Sequence, residues 1–465
     1  MKYQDCRERG RGGEGEAAPR LAFIMIYIDG LMDSNHFVPC LEDAATNPLV
    51  TKLVLNGVDF TDGIRLQSIQ RLFQTCNHDW EEIDLKYCKG PALQHVVTWI
   101  MESVTKVHTL CLIANTLESN VAQALGFGLA RNARLERLII WGTCISSRTV
   151  SCIQQGMMTN DNLKELSFTT SHLDPDATEE IVVALQQGRS FLSLERLDLF
   201  SCGLDDSVVS DIVSAFSNLS RNRLESLDVG KNHCGSQSLC AIGRLLMAPH
   251  TCLKTLNLAL QGNPNHVSSF FDISHMTSAL SNNSTLVTLI LRGNKISLQG
   301  MQALISCLQQ NTTLERLWLT DCELCKPALE HFFSSLPSMK GLRKVWLNGY
   351  QSFGVSGKRE LMKQCLDGMQ GNVILDELHL PFGFDDYRSE VNVLLDLNRA
   401  GRRLLQQGPN PHKCHPHFPY ALWTHVLGRV NTVHLPGLQR HETDQACRRS
   451  NMMYDLLRER ALLEI

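Results

Sequence analysis

No run of apolar residues in this 465-residue chain approaches the roughly 20 that a bilayer-spanning helix needs. The best candidate, Leu21 to Ile28, is far too short. It follows the charged stretch Arg7 to Arg11 and lacks a cleavage pattern, so it does not read as a signal peptide. An excess of one charge is also missing. The net charge is -4 and the sequence pI about 6.5, which gives no reason to expect a nucleic-acid or anionic-membrane partner. Enzyme signatures are absent too: no G-x-x-x-x-G-K-(S/T) phosphate loop, no H-E-x-x-H, no G-x-S-x-G. The expectation is a non-catalytic chain with no cofactor and no small-molecule substrate.

Cysteine is not scarce, but its pattern excludes a secreted disulfide scaffold. The 17 cysteines are odd in number and spread over the whole length, whereas disulfide frameworks are short and dense. They read as reduced thiols in the cytoplasm or nucleus. The sequons at Asn218, Asn282, Asn283 and Asn311 are then expected to stay unmodified. Two groups have metal-like spacing. Cys322-x-x-Cys325 has no second pair at zinc-ribbon distance, and His412, Cys414, His415 and His417, with His425 nearby, fit no zinc template. No metal site is assigned to either.

With 43% hydrophobic and 20% charged residues the chain can fold, and an internal period shows how. L-x-x-L-x-L recurs at Leu135, Leu163, Leu194, Leu224, Leu253, Leu286, Leu314, Leu342 and Leu375, with looser copies at Leu21, Val50, Trp80 and Val107. Successive starts lie 27 to 33 residues apart. Alternation within x-L-x-L-x is the signature of a strand with one buried face. Three places past the last leucine stands Cys88, Asn115, Thr143, Ser171, Cys202, Asn232, Asn294 or Cys322, small residues that can close a buried turn by hydrogen-bonding backbone. A helix then follows, clearest over Leu298 to Gln310, with Met301, Leu304, Ile305 and Leu308 at helical spacing and Asn311 as the stop. One copy buries roughly five or six apolar side chains only when flanked by others, at about 1.5–3 kcal/mol each. Alone it could not offset its ordering entropy, so the copies must stack.

Segments such as Leu286-Val-Thr-Leu289-Ile-Leu291-Arg-Gly-Asn294 and Leu314-Glu-Arg-Leu317-Trp-Leu319-Thr-Asp-Cys322 resemble the leucine-rich repeats of the ribonuclease-inhibitor class. The resemblance implies an α/β leucine-rich-repeat solenoid, a horseshoe of about 13 repeats over residues 21–383. A parallel sheet would line its concave face, with helices on the convex face. The class includes the Ran GTPase-activating protein and the sensor ends of innate immune receptors. Without a phosphate loop this chain would correspond at most to such a sensor part alone. The leading expectation is a scaffold that binds a protein partner on its concave face; regulation of a small GTPase is the alternative, by fold analogy only.

Residues 1–20, charged and glycine-rich, read as a disordered tail. Residues 384–465 leave the repeat and read as a helical cap or docking segment, with helices over Tyr387 to Gln407, Tyr420 to Val430 and Asp444 to Leu463, and a proline-rich break from Gly408 to Pro419. Leu395-Asp-Leu397-Asn398-Arg399-Ala400-Gly401-Arg402, with Trp423 and Asp455 to Arg460, resembles the tail of an expanded leucine-rich-repeat family of diatoms.

Residues flanking the last two leucines of each motif point out of the sheet. Trp318 and Trp346 therefore stand on adjacent strands, about 4.8 Å apart, with Arg292, Arg316 and Lys344 around them. A second patch combines Arg137, Ile139, Trp141, Arg196 and Phe200. Aromatic rings beside arginine are typical of binding hot spots. The bland alternative is that the tryptophans merely stack on each other or lie beneath the C-terminal segment. Asp84, Asp198 and Asp228 make other parts of the same face acidic, matched by a partner with basic and apolar patches.

Overall fold

A computed structural model describes residues 24–76, 78–102, 107–187, 191–219, 222–261, 271–349 and 354–399. The N-terminal tail, residues 400–407 at the end of the helix expected to run to Gln407, both later helices and the His/Cys loop at 412–417 lie outside the described residues. The chain divides into two compact units, Met1–Gln261 and Gly262–Ile465.

In the first unit the strands Ile24–Asp29, Val50–Asn56, Trp80–Lys86, Val107–Ile113, Arg137–Trp141, Glu165–Ser167, Arg196–Asp198, Ser226–Asp228 and Thr255–Asn257 pair in parallel, each with the next. A helix lies between each pair, from Ser34–Thr46 to Ser236–Met247. The second unit repeats the scheme with strands Thr288–Ile290, Arg316–Trp318, Lys344–Trp346 and Glu377–His379. Its helices are Ser274–Asn282, Leu298–Gln310, Lys326–Ser335, Val355–Gly371 and Arg388–Arg399. A parallel sheet with a helix in every crossover, at this repeat length, is a leucine-rich-repeat solenoid.

The register shows why the period must be kept. The second leucine of each motif sits beside its counterpart on the next strand: Leu138 beside Leu166, Leu166 beside Leu197, Leu289 beside Leu317. All of these side chains are buried. A one-residue slip would turn the whole set to solvent. Many strands are only three residues long because the chain bends immediately after the x-L-x core, yet the following leucine (Leu199, Leu319) stays buried.

That bend uses one device throughout. The residue before the turn position is left-handed: Gly57, Tyr87, Ala114, Gly142, Thr170, Ser201, Lys231 and Asp321 have φ between 51° and 67°. Non-glycine residues there cost about 1–2 kcal/mol each. Buried hydrogen bonds made by the next residue offset this. The Asn232 amide donates to the carbonyl of Leu199 at 2.9 Å and accepts from the Cys202 N–H at 3.1 Å. The Cys202 and Cys322 thiols donate to the carbonyls of Phe168 and Leu291 at 3.0 and 3.1 Å. Burial pushes both thiols up to about 12, so they are neutral donors. Cys322 is a turn residue and Cys325 an exposed helix N-cap.

A second ladder runs where helices end. The Asn311 amide donates to the carbonyls of Leu280 and Asn283, at 2.6 and 3.0 Å, while its oxygen accepts from the N–H groups of Thr313 and Leu314. Asn132, Asn160 and Asn372 also reach back to a carbonyl of the preceding repeat. Two sequon asparagines, Asn283 and Asn311, are thereby buried and closed to modification. Asn398 makes the same backward contacts, to the carbonyls of Asn372 and Leu375. It stitches the helix Arg388–Arg399 onto the repeat before it, with Val391, Leu394, Leu395 and Leu397 buried.

Candidate site on the open face of the sheet

In the second unit the side chains that alternate with the buried leucines project from the face opposite the helices. Ile290 lies in register with Trp318, Trp318 with Trp346, and Trp346 with His379. The two indoles stack with centroids 4.1 Å apart and planes 18° from parallel, and the His379 ring continues the stack at 5.7 Å and 11°. The tryptophans therefore stack on each other and remain partly exposed. At about 4.8 Å per strand, the row spans roughly 14 Å.

Glu377 organises the end of this row. Its carboxylate takes the Lys344 ammonium at 2.9 Å and the His379 ring nitrogen at 2.7 Å. Burial opposes its charge, but His379 and Lys344 together outweigh that and hold the carboxyl below its ordinary range. Lys344 and His379 are thus braced on one acid. Arg292 lies 3.6 Å from Asp321. Arg316 is exposed, one strand from Lys344 in register. Beyond His379 a 370 Å³ groove, lined by Phe382, Arg388, Asn392 and Arg399 among others, follows the last described strand of the unit.

The second predicted patch, in the first unit, is less compact. Arg137 and Arg196 both stand in register with Glu165, between them. Arg196 lies 3.6 Å from that carboxylate, and the Arg137 Nε donates to the Thr109 hydroxyl at 2.9 Å. Trp141 is 42% exposed beside Ile113. Phe200 instead belongs to the repeat two strands away and packs over Gly230, where an added Cβ would come within 2.8 Å of the ring. The strand Glu165–Ser167 separates the two rings.

The acidic positions fall into two kinds. Asp84, 1% exposed, is flanked by the ammonium groups of Lys52 and Lys86 at 3.3 and 3.0 Å. Burial opposes its charge, but Glu82 and the two lysines more than compensate and lower its pKa. Glu82, Asp84 and Cys111 have potential ligand atoms within 4.8 Å of one another. Lys52 already supplies the cation there, 2.6 Å from Glu82, and the Cys111 thiol is held protonated by burial and by the two carboxylates. Asp198 and Asp228, neighbours in register, have no cationic partner among the described residues. Burial, with the Asp198 charge added, raises Asp228 to about 6 against the Gly230 N–H and the Asn257 amide.

His379 and Glu377 complete the aromatic row, although sequence reading placed neither in the site. His379 falls in the same column as the tryptophans, so its position was legible; a planar stack required the rotamers.

No protein-family model matches the chain. It is 26% identical over 208 residues to the human NACHT, LRR and PYD domains-containing protein 13, which covers 44% of this chain and 19% of that protein. It is 27% identical over 170 residues to the bovine NACHT, LRR and PYD domains-containing protein 3, covering 37% and 16%. The chain thus spans under a fifth of the length of these relatives. Among solved structures, the TLR13–ssRNA13 complex aligns with a TM-score of 0.34 and 16% identity over 75% of this chain and 52% of that one. The repeat architecture described above is that of a leucine-rich-repeat solenoid, and LRR stands in the names of both relatives.

Proposed function

We propose that this chain is a non-catalytic scaffold that binds a protein partner on the open face of its second unit, around Trp318 and Trp346. The observation that carries this reading is the partly exposed aromatic row Ile290–Trp318–Trp346–His379, braced by Glu377 and edged by Arg316. Large rings held rigid by their neighbours lose little entropy on binding and offer substantial area, as binding hot spots do. Residues Arg137, Trp141, Arg196 and Phe200 form a secondary contact region. The helix Arg388–Arg399, stitched to the repeat before it, supports reading the segment that starts at residue 384 as a cap or docking segment. The 14 described cysteines are all free, and no described helix is long and apolar enough to cross a membrane. The free thiols support work in the cytoplasm or nucleus.

The test is affinity capture with mass spectrometry, using the wild-type chain and the Trp318→Ala/Trp346→Ala variant. A protein retained by the first and lost by the second, with unchanged unfolding midpoints, is the expected result. Each single substitution should weaken binding by about 2 kcal/mol. Lowered midpoints with undiminished capture would make the tryptophans structural and defeat the proposal.

A further inference from the structure

The chemistry of the aromatic row selects among partners. Aromatic rings carry negative charge density on their faces and positive charge density at their edges. Trp346 has Trp318 against one face and His379 against the other. Its faces are therefore withdrawn from solvent and its edge is turned outward. A cation seeking a face of Trp346 finds little here. The indole N–H groups of Trp318 and Trp346 make no hydrogen bond among the described residues, so two further donors are unused.

Charge reinforces this polarity. Lys344 is committed to Glu377 and Arg292 to Asp321. Arg316 stands two residues before Trp318 on the same face, between Thr288 and Lys344 in register, and no described carboxylate pairs with it. It is the uncommitted cation beside the row. A guanidinium offers a planar fork suited to a carboxylate.

We infer that the partner segment held by this face is acidic and apolar: an aspartate or glutamate takes the Arg316 guanidinium while an adjacent apolar side chain lies across the edges of Trp318 and Trp346. Arg316 and Trp318 are roughly 6.6 Å apart along the strand. In an extended segment, the acidic and apolar residues therefore stand about two positions apart. This inference rests on the binding face proposed above and adds the sign of its partner.

The test is selection from a random-peptide display library on the full chain, on Arg316→Glu and on Trp318→Ala/Trp346→Ala, followed by fluorescence-polarisation titration of the selected peptides at two salt concentrations. Wild type should enrich peptides with Asp or Glu within two positions of an aromatic residue or leucine. Arg316→Glu should weaken them about tenfold or more and enrich basic peptides instead, and higher salt should weaken wild-type binding. Arg316 is exposed, so circular dichroism melting should match wild type. Peptides that need the tryptophans but show no acidic preference, or that bind Arg316→Glu equally well, would overturn the inference while leaving the binding face standing. If no selected peptide depends on the tryptophans, the face itself is wrong and the inference falls with it.

Discussion

Asp228 should make the protein more stable in mild acid than its other carboxylates would suggest, and Asp228→Asn should remove that effect. The carboxyl sits beside Asp198 with no cationic partner among the described residues, and its pKa rises from the ordinary 3.8 to about 6. A carboxyl whose pKa rises on folding favours the native state while protonated. The benefit is full below about pH 4 and is lost as pH climbs through about 6. The difference of about 2 pKa units corresponds to roughly 3 kcal/mol at most. Asparagine carries no charge, and its carbonyl oxygen can still accept the Gly230 N–H now accepted at 2.8 Å, although its NH2 group then faces the Asn257 amide that donates to Asp228 at 2.7 Å, which offsets part of the gain at every pH. Asp228→Asn is therefore expected to be more stable than wild type by about 1–3 kcal/mol at pH 7.5, the gap closing toward pH 4. Urea titrations of both proteins across that range measure it. Asp198→Asn should produce a smaller gain, because burial rather than Asp198 is the first cause of the shift. A gap that does not change with pH, or an asparagine variant less stable at pH 7.5, would refute the reasoning.

Leu317→Ala, at a fully buried strand position, should cost about 2–5 kcal/mol by opening a cavity, read as a lower denaturation midpoint. Asn311→Ala leaves the Thr313 and Leu314 N–H groups without their acceptor and takes one donor from each of the Leu280 and Asn283 carbonyls at a repeat junction. It should cost at least about 2 kcal/mol, and hydrogen exchange should speed up locally at Thr313 and Leu314. In a thiol titration of the native protein, exposed Cys144, Cys252 and Cys325 should react promptly, whereas buried Cys88, Cys202 and Cys322 should wait for unfolding. Prompt reaction of the second set would mean that the turn ladder is not formed.

Most of the architecture was legible before any coordinates. Leu314-x-x-Leu317-x-Leu319 predicted a strand, and Arg316–Trp318 is one; the helix over Leu298 to Gln310 was read with its ends. The C-terminal side was harder. The helix expected from Tyr387 begins at Arg388 and is described as far as Arg399, after a 3₁₀ turn at Asp385–Tyr387, because apolar spacing does not mark where a helix begins. The second patch suffered from a different blindness. Trp141 and Phe200 fall in one column on paper, yet a whole strand lies between them.

What the sequence determined alone was the repeat, the buried leucine column and the list of side chains facing away from it. Those depend on alternation and period, properties of neighbours along the chain. The tertiary structure decided the commitments among those side chains: Trp346 sandwiched between two rings, Lys344 and His379 sharing Glu377, Lys52 standing beside Asp84, Arg316 left unpaired. These partners are mostly about thirty residues apart in sequence and meet only through strand register and rotamer choice, which no local pattern encodes.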